Sequence, residues 1–180
     1  MLKISFGLLM LLLSGSSLAA SLEHALMVNL GYGPQPSGHV SQRNFTSGVD
    51  LEFYRFQRSP RQWLSLGLSY SYLASDTEQH RSLHALSLYP QLTLLGEQYQ
   101  QWQPWFFVRA LGPTYLSEKQ LGSRQQAKHF AFQAQVGIGA THLASQWQVA
   151  LSYKHFSNAN LDSPNDGFDI PLVFNFGKRF

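Results

Sequence analysis

From residue 24 onward, hydrophobic positions recur every second residue, the period of strands whose side chains point alternately to opposite faces. Leu26, Val28, Leu30 and Tyr32 alternate with Ala25, Met27, Asn29 and Gly31. A second run sets Val49, Leu51 and Phe53 against Asp50, Glu52 and Tyr54. The third is the cleanest, with Leu64, Leu66, Leu68, Tyr70 and Tyr72 against Ser65, Gly67, Ser69 and Ser71. Leu86, Leu88, Leu92 and Leu94 form a fourth against Ala85, Ser87, Gln91 and Thr93, and Pro90 there predicts a bulge or a weakly paired position. A fifth segment, Trp105 to Leu116, is apolar on both faces, so its facing stays unassigned. Phe130, Phe132, Ala134, Val136, Ile138 and Ala140 alternate with Gln133, Gln135, Gly137, Gly139 and Thr141. Trp147, Val149, Leu151 and Tyr153 alternate with Gln148, Ala150, Ser152 and Lys154. Last, Ile170, Leu172, Phe174, Phe176 and Phe180 alternate with Asp169, Val173, Asn175 and Arg179.

Eight strands of this kind fit a closed antiparallel barrel, and the minor face decides which kind. It is Ser, Gly, Gln, Thr, Asn and Ala, whereas a soluble barrel packs its bulk inward. Bulk facing lipid predicts an all-β, eight-stranded transmembrane barrel whose lumen is filled by side chains rather than open as a pore. Connections after the odd strands (34–44, 74–82, 117–128 and 158–167) are longer than those after the even ones (57–62, 96–103 and 144–146). Outer-membrane barrels put short turns in the periplasm, so the long connections are expected outside and both termini periplasmic. The aromatic last strand ending in Phe180 resembles the C-terminal signal of bacterial outer-membrane proteins.

The first twenty residues read differently. A basic Met1-Leu2-Lys3, an apolar run from Ile4 to Leu13 and small residues up to Ala20 form a signal-peptide pattern. Ten apolar residues reach only about 15 Å as a helix, half a bilayer core. A signal peptide over 1–20 and an outer-membrane barrel domain over 21–180 are therefore expected.

Composition agrees with this picture. Of 180 residues, 44% are hydrophobic, 14% aromatic and only 13% charged, yet the mean hydropathy is −0.17, as interleaving requires. With no cysteine, disulfide scaffolds and Cys-based zinc sites are excluded. A net charge of +3 is too small to imply nucleic-acid binding. His80 and His84 have zinc-like i,i+4 spacing only if helical, and no third ligand is evident, so neither metal nor cofactor is expected.

Chemistry concentrates in the stretch from Tyr153 to Asp169. His155 and Ser157 continue the lipid-facing row of strand seven, and their Cα atoms are about 6.5–7 Å apart. A Ser hydroxyl and a His ring can meet across that gap as nucleophile and base. Taken alone, such a pair more often marks a strand that has left the hydrocarbon.

The residues here match more than spacing. His155-Phe156-Ser157-Asn158-Ala159 followed by Pro164-Asn165-Asp166-Gly167-Phe168-Asp169 resembles the lipid A 3-O-deacylases, the PagL-type outer-membrane esterases. The match is specific over about the last thirty residues. It implies hydrolysis of the acyl chain ester-linked at position 3 of lipid A, with His155 as base, Ser157 as nucleophile and Asp169 as the acid that orients the His. The family's usual acid is Glu, and Asp is shorter by one bond, roughly 1.5 Å. Hydrolytic triads work with either acid if the backbone sits closer. Asp169 also falls on the parity opposite to Ile170, Leu172 and Phe174, so a turn or bulge before strand eight must re-aim it, or the facing there differs. Asp162 and Asp166 are fallback acids better read as solvated loop residues.

Asn165 is the candidate side chain for the oxyanion, assisted by backbone N–H groups after Ser157, although Pro164-Asn165-Asp166-Gly167 is also a strong turn signal. Asn158 more plausibly shapes the loop. Lys119, Arg124 and Lys128 are candidates to pair with lipid A phosphates, or equally a solvated charged loop. The partners implied are lipopolysaccharide as substrate and outer-membrane lipid, with a homodimer allowed. The competing readings are a structural or adhesive barrel in which the motif has decayed, and a lipid-modifying barrel of other acyl position or transferase outcome.

Overall fold

The computed structural model describes residues 20–21, 23–38 and 41–180. The expected signal peptide lies outside them apart from Ala20. Eight long strands follow: β1 (Ala25–Pro34), β2 (Arg43–Ser59), β3 (Gln62–Ser75), β4 (Ser82–Leu95), β5 (Trp102–Leu116), β6 (Phe130–His142), β7 (Trp147–Ser157) and β8 (Phe168–Arg179). Each pairs antiparallel with its neighbours in the chain, and β1 pairs with β8, so the sheet closes into a transmembrane barrel. Closure leaves no unpaired edge within the hydrocarbon. A two-residue strand, Ala20–Ser21, adds to β2 at Arg55 and Phe56.

The side chains face as a membrane barrel requires. Leu30, Ile138 and Phe174 are 57%, 64% and 48% exposed, whereas Asn29, Gln135 and Asn175 on the other face are buried. Connections 35–42, 76–81, 117–129 and 158–167 leave one end of the barrel and 60–61, 96–101 and 143–146 the other; the expected alternation of lengths holds except that 76–81 and 96–101 are equally long.

Besides a slip beside the β2–β3 turn, between Gln57 and Ser59, three slips break the parity within the wall, and each is a bulge in which one strand carries an extra residue. In β2 the ladder to β3 shifts between Glu52 and Tyr54. Phe53 is therefore not part of an unbroken outward row: Tyr54 is exposed, and Arg55 lines the lumen beside Glu52. In β5 the shift lies between Arg109 and Gly112, where Leu111 has φ 56° and is exposed. Trp105, Phe107 and Arg109 face inward before it, Thr114 and Leu116 after it. That slip is why Trp105–Leu116 reads as apolar on both faces. Opposite it, the β4–β5 ladder is interrupted between Ser87 and Gln91 around Pro90, as Pro90 predicts.

The third slip, in β8, corrects the facing of Ile170. Ser152 pairs with Val173 but Lys154 pairs with Ile170, so β8 carries one residue more across Pro171 and Leu172. Ile170 is fully buried in the lumen rather than facing lipid, and Asp169 pairs with His155. Gly31 makes room on β1, where a Cβ would come within 2.8–2.9 Å of Val173 and Ile170 methyl carbons.

The lumen is not uniformly polar. Under the long loops an apolar plug of Leu73, Leu83, Leu116, Leu121, Phe156, Phe168, Ile170 and Val173 fills it. Below that lies a charged layer. Arg109 bonds Asp50 at 2.6 Å, Ser69 Oγ donates to Asp50 at 2.6 Å, and Lys154 Nζ reaches Asn29 Oδ1 and Ser71 Oγ. Toward the short turns a cavity of about 300 Å³ remains, with the Arg179–Glu52 pair (2.6 Å) on its wall.

Candidate active site

Strand alternation sets the site. In β7, Lys154 and Phe156 are fully buried in the lumen, which turns Tyr153, His155 and Ser157 to the outer wall. In β8 the bulge puts Asp169 directly across from His155. Phe156 pairs with Phe168, and both sit in the apolar plug, so the candidate residues His155, Ser157 and Asp169 are flanked by residues that cannot rotate out.

The structure brings His155 and Asp169 together. His155 Nδ1–H donates to Asp169 Oδ1 at 2.6 Å, which leaves Nε2 as the acceptor nitrogen. The His155 side chain is 32% exposed and that of Asp169 only 6%. Gly167 lies under the imidazole, where a Cβ would collide with His155 Cε1. Direct pairing across the ladder sets the two backbones close enough for an aspartate to reach the imidazole.

Ser157 continues the same row, two residues on, and pairs with Phe132 of β6. Among the described residues its Oγ makes no hydrogen bond, to His155 or otherwise. Nucleophile–base bonds often tighten only when substrate is in place.

Three residues that sequence reasoning passed over hold the acid. Tyr153 OH donates to Asp169 Oδ1. Gln35, just past the end of β1, donates from Nε2 to Asp169 Oδ2 at 2.5 Å and accepts the Asp169 N–H at 3.0 Å. Asn44 on β2 donates to Gln35 Oε1 at 2.7 Å and to the Asp169 carbonyl at 2.9 Å. Only Tyr153 carried a signal, since it shares the outward parity of His155.

The loop residues sort cleanly. Asn158 is buried, and its Nδ2 donates to the carbonyls of Asp162 (2.9 Å) and Pro164 (3.3 Å), the loop-shaping role expected of it. Asn165 Oδ1 accepts the Asn158 N–H at 2.8 Å, and its Nδ2 donates to Asn160 Oδ1 at 2.8 Å. That leaves one Asn165 N–H to give elsewhere. The Asn158 N–H is itself taken, shared with Gln126 Oε1, so it does not serve as a donor after Ser157. Ala159 and Asn160 follow with φ of 56° and 60°, a left-handed pair that turns the chain sharply away.

Of the basic candidates, Lys128 pairs with Asp162 at 2.7 Å. Arg124 Nε donates to the Gly167 carbonyl at 3.1 Å, which ties the third long loop to the segment under His155. Asp166 Oδ2 accepts the Gln125 N–H, so neither fallback acid touches His155. His84 Nδ1 bonds Tyr70 OH at 2.8 Å on the outer wall.

A hydrogen-bonded His–Asp pair beside a serine, on the outside of a barrel, is an arrangement able to cleave an ester presented from the membrane. Comparison with known proteins agrees with it. The family model described as lipid A 3-O-deacylase (PagL) matches residues 44–178. The lipid A deacylase PagL of Bordetella bronchiseptica is 33% identical over 66 residues, a stretch that spans 36% of this chain and 36% of that protein. Among solved structures, the outer membrane enzyme PagL aligns with a TM-score of 0.63 at 17% identity, over 86% of this chain and 98% of that one. Neisserial surface protein A aligns with a TM-score of 0.60 at 11% identity, over 90% of this chain and 99% of that one. At such identities the two structures speak for the barrel alone. The family model spans most of the sequence, and on that ground the chain belongs to the lipid A 3-O-deacylase (PagL) family.

Proposed function

We propose that this protein is a serine esterase of the outer membrane that hydrolyses the acyl chain ester-linked at position 3 of lipid A. Ser157 is the nucleophile, His155 the general base, Asp169 the acid that orients it. The observation that carries the reading is the 2.6 Å His155–Asp169 bond on the lipid-facing wall of a PagL-family chain. Lipid A lies in the outer leaflet, so the long-loop end faces the exterior and the site meets its substrate laterally, at the depth of the ester bonds.

The chemistry follows from the positions. Ser157 Oγ attacks the ester carbonyl while His155 Nε2 takes its proton. The imidazolium is held through Nδ1–H by the Asp169 carboxylate. The tetrahedral intermediate collapses as His155 returns the proton to the departing sugar oxygen, leaving an acyl-serine and a free 3-hydroxyl. Water, deprotonated by the same His, then releases the fatty acid and restores Ser157. The remaining Asn165 N–H is the side-chain donor for the oxyanion. Phe132 beside Ser157, with Ala134 and Val136 below it in the same outer row, offers the acyl chain an apolar wall.

The test is the mass of lipid A from outer membranes that carry the protein. Wild type should remove one acyl chain, and Ser157→Ala and His155→Ala should leave lipid A intact. An unaltered wild-type profile would sink the reading, and full activity in Ser157→Ala would sink the mechanism alone.

A further inference from the structure

Gln35 lies in the first long loop, 134 residues from Asp169 in sequence, yet it bonds Asp169 twice and Gly167 once. Its Nε2 donates to Asp169 Oδ2 at 2.5 Å and to the Gly167 carbonyl at 3.2 Å, and its Oε1 accepts the Asp169 N–H at 3.0 Å. The second lone pair of Oε1 accepts Asn44 Nδ2 at 2.7 Å. Every donor and acceptor of the amide is used, and only one orientation permits this. Flipped, it would set an NH2 against two N–H donors and an oxygen against a carboxylate.

The loop that carries Gln35 is itself braced. The Gln35 N–H bonds the Gln42 carbonyl at 2.9 Å, and buried Gln42 donates to Asn44 Oδ1 at 2.7 Å. Gln42 Oε1 in turn accepts from Ser123 of the third long loop.

Asp169 needs such a grip more than a longer acid would. Its side chain has two torsions, and His155 and Tyr153 both bond the same oxygen, Oδ1. Two donors on one oxygen leave the carboxylate free to swing about them. Gln35 on Oδ2 removes that freedom, and its bonds to the N–H of Asp169 and the carbonyl of Gly167 fix the backbone from which the acid and the glycine under His155 extend.

We infer that Gln35 is a positioning residue for the reaction, acting through Asp169 to hold the His155 imidazole in line with Ser157. The inference rests on the esterase reading and deepens it. Its test is a double-mutant cycle on the full chain, with lipid A as substrate: Gln35→Leu, Gln35→Glu, Asp169→Asn and Gln35→Leu combined with Asp169→Asn. Gln35→Leu should lower kcat by about 10- to 100-fold, the cost of a misplaced catalytic group, with KM changed less than about 2-fold. Gln35→Glu keeps the shape and the Asp169 N–H contact but puts a carboxylate against Oδ2, so its kcat should fall at least as far. The combined variant should be no slower than Asp169→Asn alone, because Gln35 has nothing left to position.

Heat-modifiable gel mobility checks that each barrel is folded, and Gln35→Glu decides the matter should Gln35→Leu not fold. Losses that multiply in the combined variant, or a change in KM at constant kcat, overturn the inference while leaving the esterase intact. A wild type that leaves lipid A unaltered overturns both, and Ser157→Ala measured alongside tells the two failures apart.

Discussion

Asp169 shows how one methylene is absorbed. Where the resemblance implies a longer acid, the proposed aspartate reaches His155 through backbone register rather than side-chain length. Asp169 pairs directly with His155, and Tyr153 and Gln35 crowd its carboxylate from the sides. An amide there could keep the hydrogen-bond count only by presenting the wrong partner to His155 and the wrong tautomer to Ser157. With the proposed orienting acid changed, Asp169→Asn should therefore cut turnover by about 10⁴-fold, as the same change does in the Ser-His-Asp triad. Asp169→Glu should retain more activity than Asn yet fall short of wild type, because its carboxylate overshoots the donors by roughly 1.5 Å. Initial rates of fatty-acid release from lipid A check both, and a Glu variant faster than wild type would contradict the fit described here.

At the scale of strands, alternation was legible wherever the ladder is regular. β3, β6 and β7 could be assigned residue by residue, and β7 delivered His155 and Ser157 to the correct face. It failed at the three bulges, because an extra residue flips parity without a reliable mark of its own. Pro171 is such a mark only in retrospect, and nothing in Phe53 or Leu111 announces a slip. The candidate site was legible to the same extent, as far as the meeting of His155 with Asp169 goes. Its motif is local, whereas Gln35 and Asn44 join it only through barrel closure between β1 and β8, and no local pattern reports a contact 134 residues away. The β8 bulge depends in turn on the space above Gly31, so Gly31→Ala should press on Val173, Ile170 and Thr46 and destabilise the barrel by about 1–3 kcal/mol. A lowered urea midpoint in micelles with an unchanged m-value is the expected signature, and an unchanged midpoint would show that the bulge does not rely on that space.

The whole molecule divides its labour between two surfaces of one wall. Outward residues of β7 and β8 carry the proposed chemistry, and inward residues of the same strands hold the barrel together. Lys154 and Phe156 reach into the lumen on either side of His155, so the two systems share a backbone but no side-chain contact with substrate. Arg109 lies on the structural side of that division. It bonds Asp50, Gln91 and Gln135 at 2.6, 2.8 and 3.0 Å and stacks over the Tyr89 ring at 3.8 Å. Arg109→Ala would leave the buried Asp50 carboxylate with Ser69 and Asn29 as donors and only the more distant Lys154 as a cation, at a cost of about 3 kcal/mol. Denaturant unfolding in micelles should show that loss. The folded fraction should keep the proposed deacylation at the wild-type rate, since Ser157 and His155 lie on the opposite face of the wall and Asn165 lies in the loop beyond it. A turnover that fell with stability in the folded barrel would mean that the lumen sets the geometry of His155, and the division into two surfaces would have to be given up.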